Sequence, residues 1–189
     1  MVSATMNETI CKYVFGNIDF HKCKLARNTG TLYQYPAYSM SRSFIDKDRG
    51  VFDRIKKLTR IENIITFKKY LLGILYFGNT DGRDIYKGQD LIVAGTPHQP
   101  EWMYKLFAYS FGLDFDVNAK LATMMIEHNG YRFPFYTYED EVLRNIQFYM
   151  IESELEQAVG RARLLRFDCV VHLLSNFPLK QAIMKEIYY

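Results

Sequence analysis

Apolar and polar positions change period several times along the chain, and each change predicts an element. Asn7–Phe15 has helical spacing, with Asn7 placed to cap it and Gly16 just past its end. Ile18–Lys24 and Thr31–Tyr38 read as strands, the second rich in tyrosine and broken at Pro36. Over Ser43–Arg60, Phe44, Val51, Phe52, Ile55 and Leu58 share one face with charges between them, which predicts a helix. Asn63–Phe67 is a strand signal of β-branched residues. Asp90–Ala94 is a continuous apolar run that stops at Gly95-Thr96-Pro97, as in a strand buried on both faces of a parallel sheet. Trp102–Phe111 reads as a helix ended by Gly112, and Leu121–Glu127 and Tyr131–Thr137 carry fainter strand signals. In Glu139–Leu165, Phe148, Ile151, Leu155, Ala158, Ala162 and Leu165 recur at threes and fours, the stripe of a long helix. Cys169–Leu174 repeats the buried-strand pattern, and the last residues open another helix.

Strands alternating with helices predict an α/β fold, a mainly parallel sheet flanked by helices. The chain has no internal repeat, low-complexity stretch or Pro/Gly/Ser-rich linker, so one compact body is expected. In such sheets ligands sit where loops leave the carboxyl ends of strands. That rule directs attention to the N-terminal residues, the two flanks of Asp90–Ala94 and the end of the long helix.

Composition narrows the picture further. With 189 residues, 49% of them hydrophobic and 24% charged, the chain is not disordered, and its size permits a core without metal or disulfide. Lys plus Arg number 24 against 21 Asp plus Glu, a balance that neither demands nor excludes a polyanionic partner. Three cysteines without a CxxC pair read as reduced thiols. Apolar runs such as Tyr70–Phe77 fall well short of the ~20 residues a membrane helix needs, and the first ten residues lack a secretory pattern. A cytoplasmic protein without membrane attachment is expected.

Several constellations point to bland roles. His21, His98, His128 and His172 are dispersed, so no metal site is expected, and Cys169 and His172 fall on opposite faces of a strand. Glu139, Asp140 and Glu141 complement a helix N-terminus. Tyr33 and Tyr35 share a strand face, where burial competes with stacking on bases.

The densest polar chemistry is Glu156–Arg166, EQAVGRARLLR. Gln157 and Arg161 lie four apart on one flank of the helix, with Gly160 between them. Gly160 costs about 1 kcal/mol against alanine in a helix interior, which calls for a reason such as close approach of a ligand or backbone. Neither Arg161 nor Arg163 has an acidic residue three or four positions away. Arginines so placed suit either a solvated helix end whose dipole they complement or an anion brought from outside, which both could reach if the helix bends near Gly160.

QAVGRAR resembles motif VI of superfamily 2 helicases, in the Gln-x-x-Gly-Arg-x-Arg form of Dicer-like members. Two further stretches stand in the family's order. Ser3-Ala4-Thr5 resembles motif III, which couples hydrolysis to strand movement. Asp81–Pro97 resembles motif V through Gly82, Asp84, Tyr86 and Gly88, then a buried strand and Pro97, with the aromatic displaced by one place. Ile64–Phe67 with Lys68 and Lys69 stands at motif IV, though only about a dozen residues separate Tyr70 from Gly82.

The resemblance implies the second RecA-like (P-loop NTPase-like) domain of a DNA or RNA helicase over residues 31–189, with 1–30 the end of a first domain or a connecting segment. It implies arginine fingers at Arg161 and Arg163, nucleotide sensing by Gln157, and nucleotide contacts at Gly82, Asp84 and Gly160. It further implies nucleic-acid contacts at Thr66, Lys68 and Thr96, and coupling through Ser3, Ala4 and Thr5. The chain contains no GxxxxGK[ST] and no DEx[HD]. ATP and Mg2+ would therefore be held mainly by an N-terminal RecA-like ATPase half, with single- or double-stranded nucleic acid as the other partner. The alternative is a non-catalytic nucleic-acid- or partner-binding module that keeps the fold without the chemistry.

Overall fold

The computed structural model describes residues 7–21, 23–37, 39–70, 72–80 and 82–186. Ser3, Ala4 and Thr5, the motif III match, lie outside the described residues, as does Tyr38. The resemblance implies one boundary, at 30/31, whereas the sequence pattern implies a single body. The folded chain instead interleaves two compact units, Met1–Leu25 with His98–Ser153 and Ala26–Pro97 with Glu154–Tyr189.

The second unit carries a five-stranded, wholly parallel sheet. Its strands are β1 (Thr31–Tyr35), β2 (Ile64–Ile65), β3 (Leu91–Ala94), β6 (Val170–Leu174) and β7 (Ile183–Met184), in the spatial order β2-β3-β6-β1-β7. β3 and the inward positions of β6 are fully buried, the environment that a continuous apolar run demands. On one face, Tyr35, Ile64, Ile92, Ala94 and Leu174 pack with Ile45, Val51, Phe52 and Ile55 from two helices, α2 (Arg42–Lys47) and α3 (Val51–Thr59). The expected single helix over Ser43–Arg60 is broken at Asp48–Gly50. Asp48 favours turn geometry and Gly50 is a poor helix former, so the chain restarts at Val51.

The first unit holds α1 (Glu8–Phe15), capped by the Asn7 side chain on the Ile10 N–H, and α4 (Glu101–Ser110). It also holds the antiparallel hairpin of β4 (Leu121–His128) and β5 (Tyr131–Tyr138). Its core joins Ile10, Tyr104, Ala108, Tyr138, Leu143 and Ile146. The two units differ in charge: 7 Lys and Arg against 10 Asp and Glu in the first, 17 against 11 in the second. The excess of positive charge therefore lies on the sheet-bearing unit.

α5 (Glu141–Gly160) begins in the first unit and ends in the second. Three expectations fail against these elements. Ile18–Lys24 forms no strand among its described residues. The C-terminal helix is replaced by β7, a two-residue strand held to β1 by backbone bonds such as Lys185 N–H to the Gln34 carbonyl. The long helix stops at Gly160 rather than Leu165, so Leu164 is buried while Leu165 is exposed.

Candidate functional site

The end of α5 determines where the arginines go. Beyond Gly160 the chain tightens: Arg161, Ala162 and Arg163 donate their N–H groups to the carbonyls of Ala158, Val159 and Gly160. Arg163 then takes a left-handed conformation, φ 60°. The turn is anchored where β1 begins, since Thr29 and Gly30 N–H both donate to the Leu164 carbonyl at 2.9 Å. Buried Cys169 donates its thiol to the Ala162 carbonyl, and burial raises the pKa of that thiol.

The segment 82–90 docks onto the same turn. Gly88 N–H donates to the Ala162 carbonyl at 3.0 Å. Gly82 and Gly88 both have left-handed backbones, φ 66° and 70°, and a Cβ at Gly88 would come within 3.1 Å of the Phe167 ring. Asp90, which leads into β3, accepts from Val170 N–H at the start of β6 at 2.7 Å. Both segments therefore precede strands: the site lies at the amino edge of the sheet, opposite the edge that the carboxyl-end rule selects.

At this edge the side chains converge. Arg163 Nη2 and Nε donate to Asp84 Oδ1 at 2.7 and 3.2 Å, with side-chain exposures of 42% and 55%. Those hydrogen bonds from Arg163 hold the Asp84 carboxyl below the usual carboxylate range, with Arg163, Lys87 and Arg161 adding electrostatic pull. Arg161 donates from Nε to the Gln157 carbonyl at 3.2 Å and from Nη1 to the Arg83 carbonyl at 3.4 Å. No carboxylate pairs with Arg161 among the described residues. Lys87 Nζ stands 5.6 Å above the Phe167 ring. Gly160 faces open space, since a Cβ there would meet nothing within 4 Å. No neighbouring backbone therefore requires a glycine at 160.

The predicted site residues thus divide. Gln157, Gly160, Arg161, Arg163, Gly82 and Asp84 come together, although 79 residues separate Asp84 from Arg163. Arg83 and Lys87 join them and were not singled out by sequence reasoning; the signal was the crowding of charge between the two glycines of segment 82–88. Thr66, Lys68 and Thr96 lie elsewhere, near the carboxyl edge. Thr66 is 2% exposed and donates its hydroxyl to the Ala94 carbonyl at 2.7 Å. Thr96, 1% exposed, has its hydroxyl within 2.6–3.0 Å of Ser39 O, Ser175 Oγ and Asn176 Oδ1. Lys68 is exposed, its Nζ 5.6 Å from the Tyr76 ring centroid.

Also at the carboxyl edge, buried Gln34 donates to the carbonyls of Ser175 and Phe177 and accepts from Leu179 N–H. Tyr35 Oη and His172 Nδ1 are 2.7 Å apart, and burial lowers the pKa of the imidazole.

Among the described residues no group of three or more His, Cys, Asp or Glu could hold a metal ion. No described helix is long and apolar enough to cross a membrane. No family model, curated protein or solved structure matches the chain.

Proposed function

We propose that this chain acts as the second RecA-like half of a superfamily 2 DNA or RNA helicase or translocase, closing over ATP bound to a first half. The observation that carries this reading is the convergence of the motif V-like segment 82–88 and the motif VI-like segment 157–163 at one exposed, cation-rich edge. In this reading Arg161, free of any described carboxylate, is the arginine finger. Its guanidinium offsets charge developing on the transferring phosphoryl oxygens, an effect worth roughly 10³–10⁵ in rate in comparable enzymes.

Arg163 is a second phosphate contact, and the break after Gly160 allows both arginines to face one ligand. Gln157 senses the nucleotide, and the open side of Gly160 gives it room. Of the proposed nucleic-acid contacts, Lys68 is the exposed one, while Thr66 and Thr96 secure the strand ends beside it. Binding to nucleic acid is then mostly to phosphate, weak and salt-dependent. Mg2+ is held by the first half together with ATP, and when bound it neutralises charge on the phosphates. No residue of this chain is assigned to the metal.

The test joins the chain to a Walker A- and DEx[HD]-bearing half and measures nucleic-acid-stimulated ATP turnover. Arg161→Ala is expected to lower kcat by about 10³-fold with little change in KM, and Arg161→Lys to restore only a small part. Equal turnover with alanine removes the arginine-finger role. Nucleic-acid binding without any turnover favours the non-catalytic module instead.

A further inference from the structure

Asp84 is placed unusually for a surface carboxylate. Three cations pull on it, Arg163 by direct hydrogen bonds and Lys87 and Arg161 across space. It takes no part in the core, and its partner Arg163 sits on a left-handed backbone that a non-glycine residue adopts only at a cost. An exposed pair of this kind adds little to stability. Asp84 Oδ1 alone accepts from both Nε and Nη2 of Arg163, however, and a single phosphate oxygen can accept from a guanidinium in the same way. One exposed anion bonded to Arg163, with Arg161 and Lys87 acting on it across space, thus stands where an external anion would bind.

We propose that Asp84 is an internal occupant of the phosphate position, a latch on Arg163 that a polyphosphate must displace before Arg163 can bind it. This rests on the reading above that the amino edge meets a triphosphate, and adds how that edge is kept closed. A singly charged anion gains too little from three cations to displace a tethered carboxylate, whose effective concentration is high. A polyphosphate, with several charges and several acceptor oxygens, does displace it. The latch therefore selects for polyphosphate and leaves Arg163 bound internally when none is present.

Calorimetric titration of the full chain with inorganic pyrophosphate, which offers no sugar or base, tests the latch at low salt. Asp84→Asn is expected to bind pyrophosphate about 3–10-fold more tightly than the unaltered chain, and Arg163→Ala in the same molecule to abolish that gain. Asp168→Asn makes the same change in net charge on the neighbouring turn, where Asp168 is exposed and has no ion pair among the described residues. It is expected to change affinity less than about twofold. Circular dichroism spectra and Tm confirm that each variant is folded.

A gain no larger than that of Asp168→Asn overturns the proposal, as does a gain that survives Arg163→Ala or an absence of binding in every variant. The titration involves no first half, so its failure is separable from failure of the helicase reading. Turnover independent of Arg161 sinks that reading and leaves the latch standing. A missing pyrophosphate gain beside Arg161-dependent turnover does the reverse.

Discussion

The two edges of the parallel sheet use polar residues in opposite ways. At the carboxyl edge Gln34, Thr66, Thr96 and Ser175 are buried, and their polar atoms are spent on backbone carbonyls, N–H groups and one another. At the amino edge Arg83, Asp84, Lys87 and Arg163 are exposed, and cations outnumber their described partners. A buried polar group must be satisfied or it costs free energy, so the first edge is committed to holding strands together. The second gains little stability from its ion pair, which a ligand can displace. Residue type alone does not separate a structural threonine from a phosphate-binding one; burial does.

The largest expected contrast comes from removing one group at each edge. Gln34→Leu leaves the Ser175 and Phe177 carbonyls and the Leu179 N–H without a side-chain partner, and is expected to cost about 3 kcal/mol or more in urea unfolding. Arg161→Ala and Arg163→Ala should leave the unfolding midpoint nearly unchanged. Equal losses at both edges would erase the distinction. Thr96→Val comes next, expected to cost about 1–2 kcal/mol through the lost bonds to Ser39, Ser175 and Asn176.

Smaller still is the acid response. Hydrogen bonds from Arg163 and Lys69 hold the folded-state pKa values of Asp84 and Asp46 below those of the unfolded chain. Their stabilisation is therefore fully present above the unfolded carboxylate value of about 3.9 and is lost as pH falls through the lower folded values. Asp46→Asn/Asp84→Asn should lose less stability than the unaltered chain between about pH 4 and pH 2, measured by chemical unfolding at each pH. The smallest effect is a gain. Gly160→Ala adds a better helix former where a Cβ meets open space, and should raise stability by up to about 1 kcal/mol in thermal unfolding. A loss would mean that the end of α5 is more crowded than its surroundings show.

Much of the architecture was legible in sequence, and the exceptions share a cause. Leu91–Ala94 and Val170–Leu174 were readable because a strand buried on both faces must be continuously apolar. The Ser43–Arg60 stripe kept its spacing across Asp48–Gly50, so periodicity overran a break that local backbone preference imposed. β7 was invisible because two residues held by main-chain bonds to β1 leave no side-chain pattern. The turn Asn129–Gly130 between β4 and β5, with φ 50° and 81°, was a hairpin signal stronger than the apolar pattern on either side.

At the site, Gln157, Arg161 and Arg163 were legible as a cluster because they lie close together in the chain, although the two arginines fall beyond the end of the helix. The Asp84 partner of Arg163 was not, because pairing across 79 residues depends on how segment 82–88 docks. The inward turn of the Thr66 and Thr96 hydroxyls was equally beyond reach of the chain's order.

Amide chemical-shift mapping during titration of the labelled chain with pyrophosphate puts the contrast between the edges to its most direct test. The account predicts that shifts concentrate at residues 82–88 and 160–167. Shifts concentrated instead at 95–96 and 175–179, with the arginine turn unmoved, would contradict it.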